Sequence, residues 1–556
     1  MKKLPKMKYT DSITRQTQVR FGGYNHTKHA KDGDIYDMKN ITAEHYPLIT
    51  PREKRDICTT TYSGTLKSIG TSDKFYCIGD KTFYYDGTLV EMIGTVKQVA
   101  DTGNYLFLLP EEQFKKSNCY IKNTGKMMGT GHYASVSQEV NYFSNGTVVR
   151  YYIALENTKI ITRMPFIYYF YEGSAVPIFF AIKLKDGRIL RTIRTMTDRR
   201  AQVSDGWQTN LYEASFAEDE SWGCSNEEIE IIYATTSVPF LNYVCGTDNR
   251  IWGCDDKNIY CSAFGKPMEW FYYEASSSGN VADNSWSIEP FDGGGDFTGC
   301  TVYRGTPIFF KENMVYEIYG DNPSNFRLQT YKVPGVAKGS HKSLQVIKDV
   351  LYYLSPEGVM RYSGGIVDNL STQFNQQLEE GVGGNDGLRY YLSAKADGVY
   401  KLFVYDLERR IWTVEDSTQV LDFALYNRRL YMLNGSHQLM CINPGTHSSP
   451  ISKTGDEAVP EAVIEFADCY MDTVDKKAIS KIFARFSVED GGAFEILIRY
   501  DSGGEWKSVK KITASSQKTY TLPIIPKRCD HFKIKIIGKR FVLHALSYEY
   551  YNGSTL

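Results

Sequence analysis

The stretch RIWGCDDKNIYCS, residues 250–262, contains two short apolar and aromatic runs separated by four turn-forming residues. The same plan recurs in PIFFKENMVYEIY, residues 307–319, and in VLYYLSPEGVMRY, residues 350–362. β-Branched and aromatic residues favour a pleated, half-buried strand, whereas Gly, Pro, Asn and Asp favour turns. Each of these stretches therefore predicts a β-hairpin.

Related hairpin patterns occur at 74–87, 399–412 and 430–442. Sequence repeats of roughly 40 to 50 residues that carry several short strands are typical of propeller blades, which bury their faces by stacking on one another. The chain has 556 residues, which is long enough for several domains. We therefore predict an all-β fold: an irregular β-propeller with an inserted small β-domain and a C-terminal β-sandwich.

Changes in the strand pattern set the expected domain boundaries. The inserted domain lacks the aromatic hairpin rhythm, the linker is rich in Gly, Ser, Pro and Asp, and the last segment alternates apolar and polar residues. Ser371 predicts the N-cap of one short helix at 372–380. The predicted order is an N-terminal arm at 1–18, a first propeller segment at 19–122, the inserted β-domain at 123–235, a second propeller segment at 236–445, the linker at 446–460 and the C-terminal β-sandwich at 461–556.

The composition limits the possible functions. The net charge of -1 provides no global basic field for nucleic-acid binding. The chain has 42 tyrosines, whose apolar body and polar tip suit subunit contacts or sugar-binding surfaces. Its 11 cysteines form no C-x-x-C pair, so they indicate neither a zinc ribbon nor a disulfide framework. We expect reduced, buried thiols in a protein made in the cytosol.

The most apolar stretch, residues 164–182, predicts an aromatic hairpin. Each of its halves is much shorter than the ~20 residues of a membrane helix, so we expect no stable membrane span. No apolar segment follows the basic N-terminus either, which argues against export by a signal peptide. We favour a subunit interface or a core strand pair over a membrane-contacting loop. The interface candidates are Phe166, Tyr168, Tyr169, Phe170, Tyr171, Phe179 and Phe180.

Catalytic motifs are missing from the sequence. The stretch GVAKGSHK, residues 335–342, has its lysine out of register with a P-loop, and neither G-x-S-x-G nor H-E-x-x-H occurs. The repeated S-x-D-x-G-x-x-W turns of sialidase propellers are also missing. We therefore predict no catalytic residues, no cofactor and no metal. The spacing of the metal-capable residues near the N-terminus matches no standard site. They are His26, His29, Asp32, Asp34 and His45.

Several sequence blocks resemble structural proteins of phages and prophages, in particular the tail nozzle and tail hub proteins of short-tailed phages. The resemblance covers most of the chain outside 123–235, and the terminal blocks are its most specific portion. The blocks are FGGYN (21–25), DIYDMKNI (34–41), YPL (46–48), RIWG (250–253), FGKPMEW (264–270), VPGV (333–336), LYYLSPEGV (351–359), DKKAIS (475–480), YDSGGEW (500–506) and PKRCDHF (526–532).

This resemblance implies a virion structural protein that is made in the host bacterial cytoplasm and located in the tail. Its subunits would form a homo-oligomeric ring, with six copies expected, at or below the portal. Its partners would be portal or adaptor proteins, other tail proteins, and viral DNA that passes through the lumen without sequence recognition. Such a component needs wide subunit interfaces and no catalytic site.

A lumen that bound phosphates tightly would stall DNA ejection, so we expect acidic loops near the channel or its gate. The basic hairpin with Arg188, Arg191 and Arg194 would lie further away. The channel or gate candidates are Glu218, Asp219, Glu220, Glu227 and Glu228.

Two other classes of function remain open from the sequence. A carbohydrate-binding adsorption protein of the phage tail would use Tyr and Trp rings to stack on sugars. A propeller hydrolase acting on cell-surface polysaccharide would need clustered carboxylates at the propeller centre. Fold alone does not decide among them.

Overall fold

A computed structural model describes most of the chain. The described residues are 13–27, 30–31, 33–62, 64–80, 82–91, 95–110, 120–123, 127–130, 136–145, 148–155, 179–183, 189–191, 197–202, 208–214, 227–235, 238–247, 249–267, 270, 281–291, 293–471, 476–501, 503–513 and 515–552. For 110–235, and for residues 90, 91, 281, 515 and 552, the description covers the backbone only.

The chain begins with five short strands that join sheets formed much later in the sequence. They are β1 (Ile13–Gln18), β2 (Ile35–Lys39), β3 (Ile41–Thr42), β4 (Thr50–Pro51) and β5 (Asp56–Thr60).

Sheets of four consecutive antiparallel strands follow. The first two comprise β6 (Leu66–Thr71), β7 (Phe75–Gly79), β8 (Thr82–Tyr85) and β9 (Thr88–Glu91), then β10 (Val96–Asp101), β11 (Tyr105–Pro110), β12 (Tyr120–Asn123) and β13 (Met127–Thr130). A separate seven-stranded sheet comprises β14 (Val136–Asn145), β15 (Val148–Leu155), β16 (Phe179–Lys183), β17 (Ile189–Arg191), β18 (Thr197–Gln202), β19 (Gln208–Ala214) and β20 (Glu227–Thr235).

The four-stranded pattern then resumes. Two sheets comprise β21 (Tyr243–Thr247), β22 (Arg250–Cys254), β23 (Ile259–Cys261) and β24 (Trp286–Ile288), then β25 (Gly299–Tyr303), β26 (Thr306–Lys311), β27 (Met314–Tyr319) and β28 (Arg327–Tyr331). Two more comprise β29 (Gln345–Ile347), β30 (Val350–Ser355), β31 (Gly358–Ser363) and β32 (Ile366–Asn369), then β33 (Leu378–Asn385), β34 (Arg389–Ala396), β35 (Val399–Asp406) and β36 (Ile411–Val414).

The last third of the chain supplies two further sheets. Their strands are β37 (Val420–Tyr426), β38 (Arg429–Asn434), β39 (Leu439–Cys441) and β40 (Ile451–Asp456), then β41 (Ala462–Phe466), β42 (Lys477–Tyr500), β43 (Lys507–Ile512), β44 (Ser515–Pro523), β45 (Arg528–Cys529) and β46 (Phe532–Asn552). Among the described residues the helical segments are two 3-10 turns, Val281–Asp283 and His341–Ser343. None of the helices among these residues is long and apolar enough to cross a membrane.

The predicted hairpins are confirmed. β22 pairs with β23, β26 with β27, and β30 with β31, all antiparallel. The described residues form six four-stranded sheets and one five-stranded sheet of this kind. The arrangement is that of a β-propeller, so the all-β propeller prediction is confirmed.

The middle strands of the blades are more buried than the sequence pattern suggests. In β26 and β30 every residue after the first is buried, on both faces of the strand. Continuous apolar runs of this kind indicate strands covered on both sides. Many tyrosines lie in these interiors: Tyr316, Tyr353 and Tyr390 are fully buried. These tyrosines therefore pack in the cores of the blades. The expected role of tyrosines at subunit contacts stays a prediction.

The cysteines match the expectation of reduced, buried thiols. Every cysteine with a described side chain is a buried thiol outside any disulfide bond. They are Cys58, Cys77, Cys245, Cys254, Cys261, Cys300, Cys441, Cys469 and Cys529.

The chain divides into two compact units. Unit 1 comprises 1–63, 68–75 and 342–556, and unit 2 comprises 64–67 and 76–341. The seven-stranded sheet belongs to the second unit and begins at Val136, since β12 and β13 still pair with the preceding blade. The inserted domain therefore starts later than the predicted residue 123.

In unit 1 the C-terminal domain is built on two long strands. β42 and β46 pair from Lys477 to Tyr500, with a register shift between Val488 and Ala493. On one side of this shift their neighbours are β44 and β1, and on the other side β43 and β41. Side chains from both halves are buried in one core, as in the two layers of a sandwich.

The structure corrects the predicted role of the N-terminal segments. Within the predicted arm, β1 pairs with β46, and β2, predicted to lie in the propeller, pairs with β41. The predicted linker contains β40, which pairs with β5. These short polar segments carry too little local signal to reveal partners hundreds of residues away.

The predicted helix at 372–380 is wrong. This segment forms turns and then enters β33. The Ser371 hydroxyl does accept a backbone N–H, but the donor is Val359 of a neighbouring strand, at 2.8 Å. Phe374 is buried against Phe403 and Trp412, at ring-centroid distances of 4.8 and 5.0 Å. Tertiary packing of Phe374 thus overrides the local capping signal.

Two strands of unit 2, β21 and β10, approach each other closely at Gly246. A Cβ atom at Gly246 in β21 would collide with the backbone carbonyl of Asp101 in β10. We expect Gly246→Ala to lower the free energy of unfolding by about 3 kcal/mol, because a backbone obstacle cannot rotate away. Chemical denaturation measures this change. Gly455→Ala is the control, since nothing lies within 4 Å of its Cβ position. Equal stability of the two variants would contradict the close approach.

Candidate functional site

The segment at 52–60, here called the closing segment, completes the last blade of unit 1. It contains β5, which lies between β39 and β40 in the sheet order β37-β38-β39-β5-β40. Ile57 pairs with Met440, and Thr59 pairs with Ser452. A strand from the start of the chain therefore completes a sheet made by its last third.

Arg55 holds the closing segment through buried ion pairs. Its side chain is 2% exposed, and its guanidinium lies 2.5 Å from a Glu415 carboxylate oxygen and 2.8 Å from Asp416 Oδ2. The Arg55 amide also donates to Glu457 at 3.1 Å, and the Glu457 amide donates back to the Arg55 carbonyl at 3.0 Å. Two distant segments, around 415 and 457, thus meet at one residue, the first at its side chain and the second at its backbone.

Arg52 extends this arginine–carboxylate network. Its guanidinium binds both carboxylate oxygens of Glu457, at 2.8 and 2.9 Å, in the bidentate geometry that arginine favours. It also reaches Asp416 at 3.2 Å, and its Nε donates to Asn40 Oδ1 at 2.9 Å. Asn40 adopts a positive φ of 57° and fixes the turn that follows β2.

The charges of this network depend on one another. Burial opposes the charged form of Asp416, but the charges of Arg55 and Arg52 and hydrogen bonds from Thr418 together outweigh it and lower the pKa of that carboxyl. Burial likewise opposes the charge of Glu457, while hydrogen bonds from Arg52 lower its pKa. Removing one partner would leave a buried charge uncompensated, which costs far more than an exposed ion pair gains.

Asp56, the next residue, begins a second chain of buried hydrogen bonds. Its carboxylate is fully buried and lies 2.9 Å from His447 Nε2 and 2.7 Å from Lys453 Nζ. The other imidazole nitrogen, Nδ1, lies 2.8 Å from the Tyr431 hydroxyl. Because a carboxylate only accepts, Nε2 donates to Asp56, and in the neutral ring Nδ1 accepts the Tyr431 proton.

This Asp56–His447–Tyr431 relay resembles catalytic relays in its connectivity, yet its surroundings favour a structural role. The Tyr431 residue is 1% exposed, so its hydroxyl has little access to a substrate. Cys58 Sγ lies 3.8 Å from His447 Nε2, but burial raises the pKa of that thiol to about 12. A thiol that stays protonated is a poor nucleophile. The relay therefore fastens β5 to the last blade.

The FGGYN motif is also explained by packing. Gly23 lies against β36, where a Cβ atom would come within 2.7 Å of the Trp412 carbonyl. Tyr24 donates its amide to the same carbonyl at 2.7 Å, and Asn25 Nδ2 donates to Asp34 at 2.7 Å. The motif thus places the N-terminal chain against the blade.

A second group of charged side chains lies on the C-terminal sheet. Glu465 of β41 is approached by Lys535 at 3.0 Å and by Lys533 and Arg499 at 3.6 Å. Lys535 and Arg499 also lie over the ring of Trp506, at 4.4 and 4.7 Å from its centroid. Cations already contact this ring, which limits its use as a platform for sugars.

Tyr36 in β2 is similarly engaged. It stacks on His26 with ring centroids 4.2 Å apart, and Lys533 Nζ lies 4.2 Å from its ring centroid. Of the other metal-capable N-terminal residues, Asp34 bonds Asn25, and His45 Nδ1 lies 3.4 Å from Thr50 Oγ1. His29 and Asp32 lie outside the described residues.

The predicted interface and channel residues fall where side chains are not described. Phe179 and Phe180 open β16, and Glu227 and Glu228 open β20, whose backbones alone are described. The remaining candidates, Phe166, Tyr168, Tyr169, Phe170, Tyr171, Glu218, Asp219 and Glu220, lie outside the described residues. Both assignments stay predictions.

Sequence reasoning missed the closing segment as a site. Its only local signal is the REKRD run at 52–56, in which charges directly precede an apolar strand. Charge runs are usually solvated, so the pattern alone did not indicate burial. The partners Glu415, His447 and Glu457 lie more than 350 residues away, beyond the reach of any spacing rule.

Comparison with known proteins yields weak structural similarity only. No protein-family model and no curated protein matches the chain. A crystal structure of a protein from Lactobacillus plantarum covers 84% of this chain and 99% of its own length, with 9% identity and a TM-score of 0.30. Dihydro-heme d1 dehydrogenase NirN, solved in complex with DHE, covers 76% of each chain, with 10% identity and a TM-score of 0.29.

An exo-β-1,3-galactanase from Phanerochaete chrysosporium, solved with β-1,3-galactotriose, covers 74% of this chain and 99% of its own. Its identity is 10% and its TM-score is 0.17. At such values the likeness carries no argument about activity.

Replacing Arg55 tests the arginine–carboxylate network. We expect Arg55→Met to destabilise the chain by about 3 to 5 kcal/mol, because Glu415 and Asp416 lose a buried counter-charge. Arg361→Met is the matched control: its ion pair with Asp368 has side chains that are 41% and 52% exposed, so its loss should cost less than about 1 kcal/mol. Urea denaturation measures both values. A small effect at Arg55 would show that the network does not hold the closing segment.

The Asp56–His447–Tyr431 relay predicts how the stability of the fold depends on pH. Burial opposes the charge of Asp56, but hydrogen bonds from Lys453, Gly445 and His447 outweigh it and lower the pKa to about 2. A depressed carboxyl pKa adds stability above the unfolded pKa of about 4, and this is lost as the pH falls through 2. The stability difference between the wild type and Asp56→Asn should thus be largest above pH 4 and shrink toward pH 2. Denaturation curves across this range measure it, and a constant difference would refute the assignment.

Proposed function

We propose that this chain is a structural subunit of a phage or prophage tail. It forms a ring of the nozzle or hub type, and the ring continues the DNA channel below the portal. The proposal comes from the sequence resemblance to tail proteins of short-tailed phages. One structural observation supports it: nearly every block that carries the resemblance contributes buried residues to a core.

The N-terminal blocks illustrate this. Phe21 and Tyr24 of FGGYN are 2% and 1% exposed. Ile35 and Ile41 of DIYDMKNI are 1% and 3% exposed. These residues join the core of the unit that contains the C-terminal sheet. The blocks that carry the resemblance therefore anchor the N-terminal chain.

The later blocks have the same character. Trp252 is 2% exposed, and Val336, Tyr353 and Phe532 are fully buried. Ser355 of the LYYLSPEGV hairpin is also fully buried, and its hydroxyl accepts the amide of Glu357 at 3.1 Å. A resemblance that includes such buried residues fits a protein whose function is its shape.

The chemistry of the closing segment supports the same conclusion. Its arginines pair with carboxylates of distant segments, its Asp56 pairs with a lysine and a histidine, and burial raises the pKa of the nearby Cys441 thiol to about 11. In some proteins, buried ionic groups of this kind specify a single conformation more than they add net stability. A channel component that must stay rigid while DNA passes benefits from such pairing.

The partners of the ring are portal or adaptor proteins, other tail proteins and transiting viral DNA, and its location is the virion tail. Enzymatic activity does not belong to the proposal. The rings of Tyr36 and Trp506 are already engaged by neighbouring side chains, which argues against their use in stacking on sugars. Carbohydrate-binding adsorption is therefore not the main proposal, and the test below distinguishes it.

Electron microscopy of the purified full chain tests the proposal, together with analytical ultracentrifugation. We expect closed rings with a central hole wide enough for duplex DNA, which is on the order of 20 Å across. Rings that also match density at the tail vertex of particles would support the nozzle or hub assignment. A monomer at micromolar concentration that binds host glycans would overturn it in favour of adsorption.

The interface prediction can be tested in the same assay. Tyr168→Ser combined with Tyr169→Ser should shift rings toward monomers if the aromatic hairpin forms the subunit contact. Tyr319→Ser is the control, because Tyr319 is 43% exposed and lies outside that hairpin. Unchanged rings in the double variant would exclude this hairpin from the interface.

A further inference from the structure

Two carboxylates and one imidazole meet at an end of the C-terminal domain. Asp501 follows β42, and Asp530 and His531 directly precede β46. One ligand atom from each of the three lies within 4.8 Å of the others. We propose that this terminal cluster, Asp501, Asp530 and His531, binds a divalent cation of the Zn²⁺ class.

The backbone holds the two segments together before any cation binds. Tyr500 pairs with Phe532, and the Asp501 amide donates to the His531 carbonyl at 3.0 Å. The Asp530 amide donates to Asp501 Oδ1 at 3.1 Å. The cluster is therefore anchored on the two longest strands of the domain, so its side chains start from fixed positions.

His531 is the central ligand. Its side chain is only 8% exposed, and its Nδ1 lies 2.5 Å from Asp530 Oδ1. The imidazole is therefore buried while its Nδ1 faces the carboxylates. A mixed set of imidazole nitrogen and carboxylate oxygen suits Zn²⁺, with water completing the coordination, better than Ca²⁺, which takes only oxygen ligands.

A carboxylate on the opposite side of the imidazole independently indicates that His531 can bind a metal ion. Asp468 Oδ1 lies 3.7 Å from His531 Nε2, is shielded from solvent, and accepts no hydrogen bond from the described residues. A metal-bound histidine commonly donates its other N–H to a carboxylate, which orients the ring. Asp468 is placed to accept this bond when His531 binds the cation through Nδ1.

The surrounding charges leave room for a cation. Lys533 Nζ lies 3.7 Å from Asp468 on the far side of the imidazole, while Lys477 donates to the backbone carbonyl of Asp530. Asp530 has a side chain that is 53% exposed, so it can rotate to coordinate and leaves space for water. Two neighbouring carboxylates repel each other, and a divalent cation relieves that repulsion.

Isothermal titration of the EDTA-treated full chain with Zn²⁺ tests the proposal. We expect one equivalent to bind with Asp530-dependent affinity. Asp530→Asn should weaken binding at least 10-fold, and since this side chain is half-exposed, the variant should fold. Asp468→Asn should weaken it about 10-fold by loosening the imidazole. Glu505→Gln, at an exposed acid a few residues from Asp501, is the control and should bind like the wild type.

The comparison among variants distinguishes Zn²⁺ binding at this cluster from Zn²⁺ binding to cysteines and histidines elsewhere in the chain. Equal Zn²⁺ affinity in the wild type and Asp530→Asn would overturn the proposal, as would no binding. Binding of Ca²⁺ but not Zn²⁺, if abolished by Asp530→Asn, would overturn the assigned class of cation. As a second measurement, Zn²⁺ should raise the melting temperature of the wild type and of Glu505→Gln more than that of Asp530→Asn at the same Zn²⁺ concentration.

Discussion

The pairing of β5 with β39 and β40 is the constraint on which unit 1 depends. It joins residues nearly 400 positions apart, for example Lys453 and Asp56. A one-residue slip would turn every side chain of β5 to the opposite face. Arg55 would then leave Glu415 and Asp416, and Asp56 would leave His447, so the buried charges define a single register.

The N-terminal chain joins two sheets in succession: first the C-terminal sheet, and then the sheet that contains β5. β1 and β2 pair with the C-terminal sheet, and Asn40 then bonds Arg52 at the start of the closing segment. Because these contacts are far apart in sequence, they form only after long loops close, which is slow for β-proteins of high contact order. Buried ion pairs add specificity to this late step, since a wrong pairing leaves charges without partners.

Polar groups in this protein serve mainly to fix geometry. The Asp56–His447–Tyr431 relay and the arginine–carboxylate network lie inside the fold, and cations contact the rings of Tyr36 and Trp506 on the C-terminal sheet. This use of charge fixes the positions of strands that lie far apart in the sequence. The terminal cluster differs, because Asp530 remains largely open to solvent.

The sequence by itself determined the hairpins, since the partners in β22–β23 or β30–β31 are adjacent and turn residues set their register. It also predicted the propeller and the buried thiols from repetition and composition. Only the tertiary structure decided that Phe374 ends up in a turn, that β1 and β2 join the C-terminal sheet, and that Arg55, Asp56 and His531 face their partners. Local patterns carry information about neighbours along the chain, whereas contacts hundreds of residues apart arise from how the sheets pack.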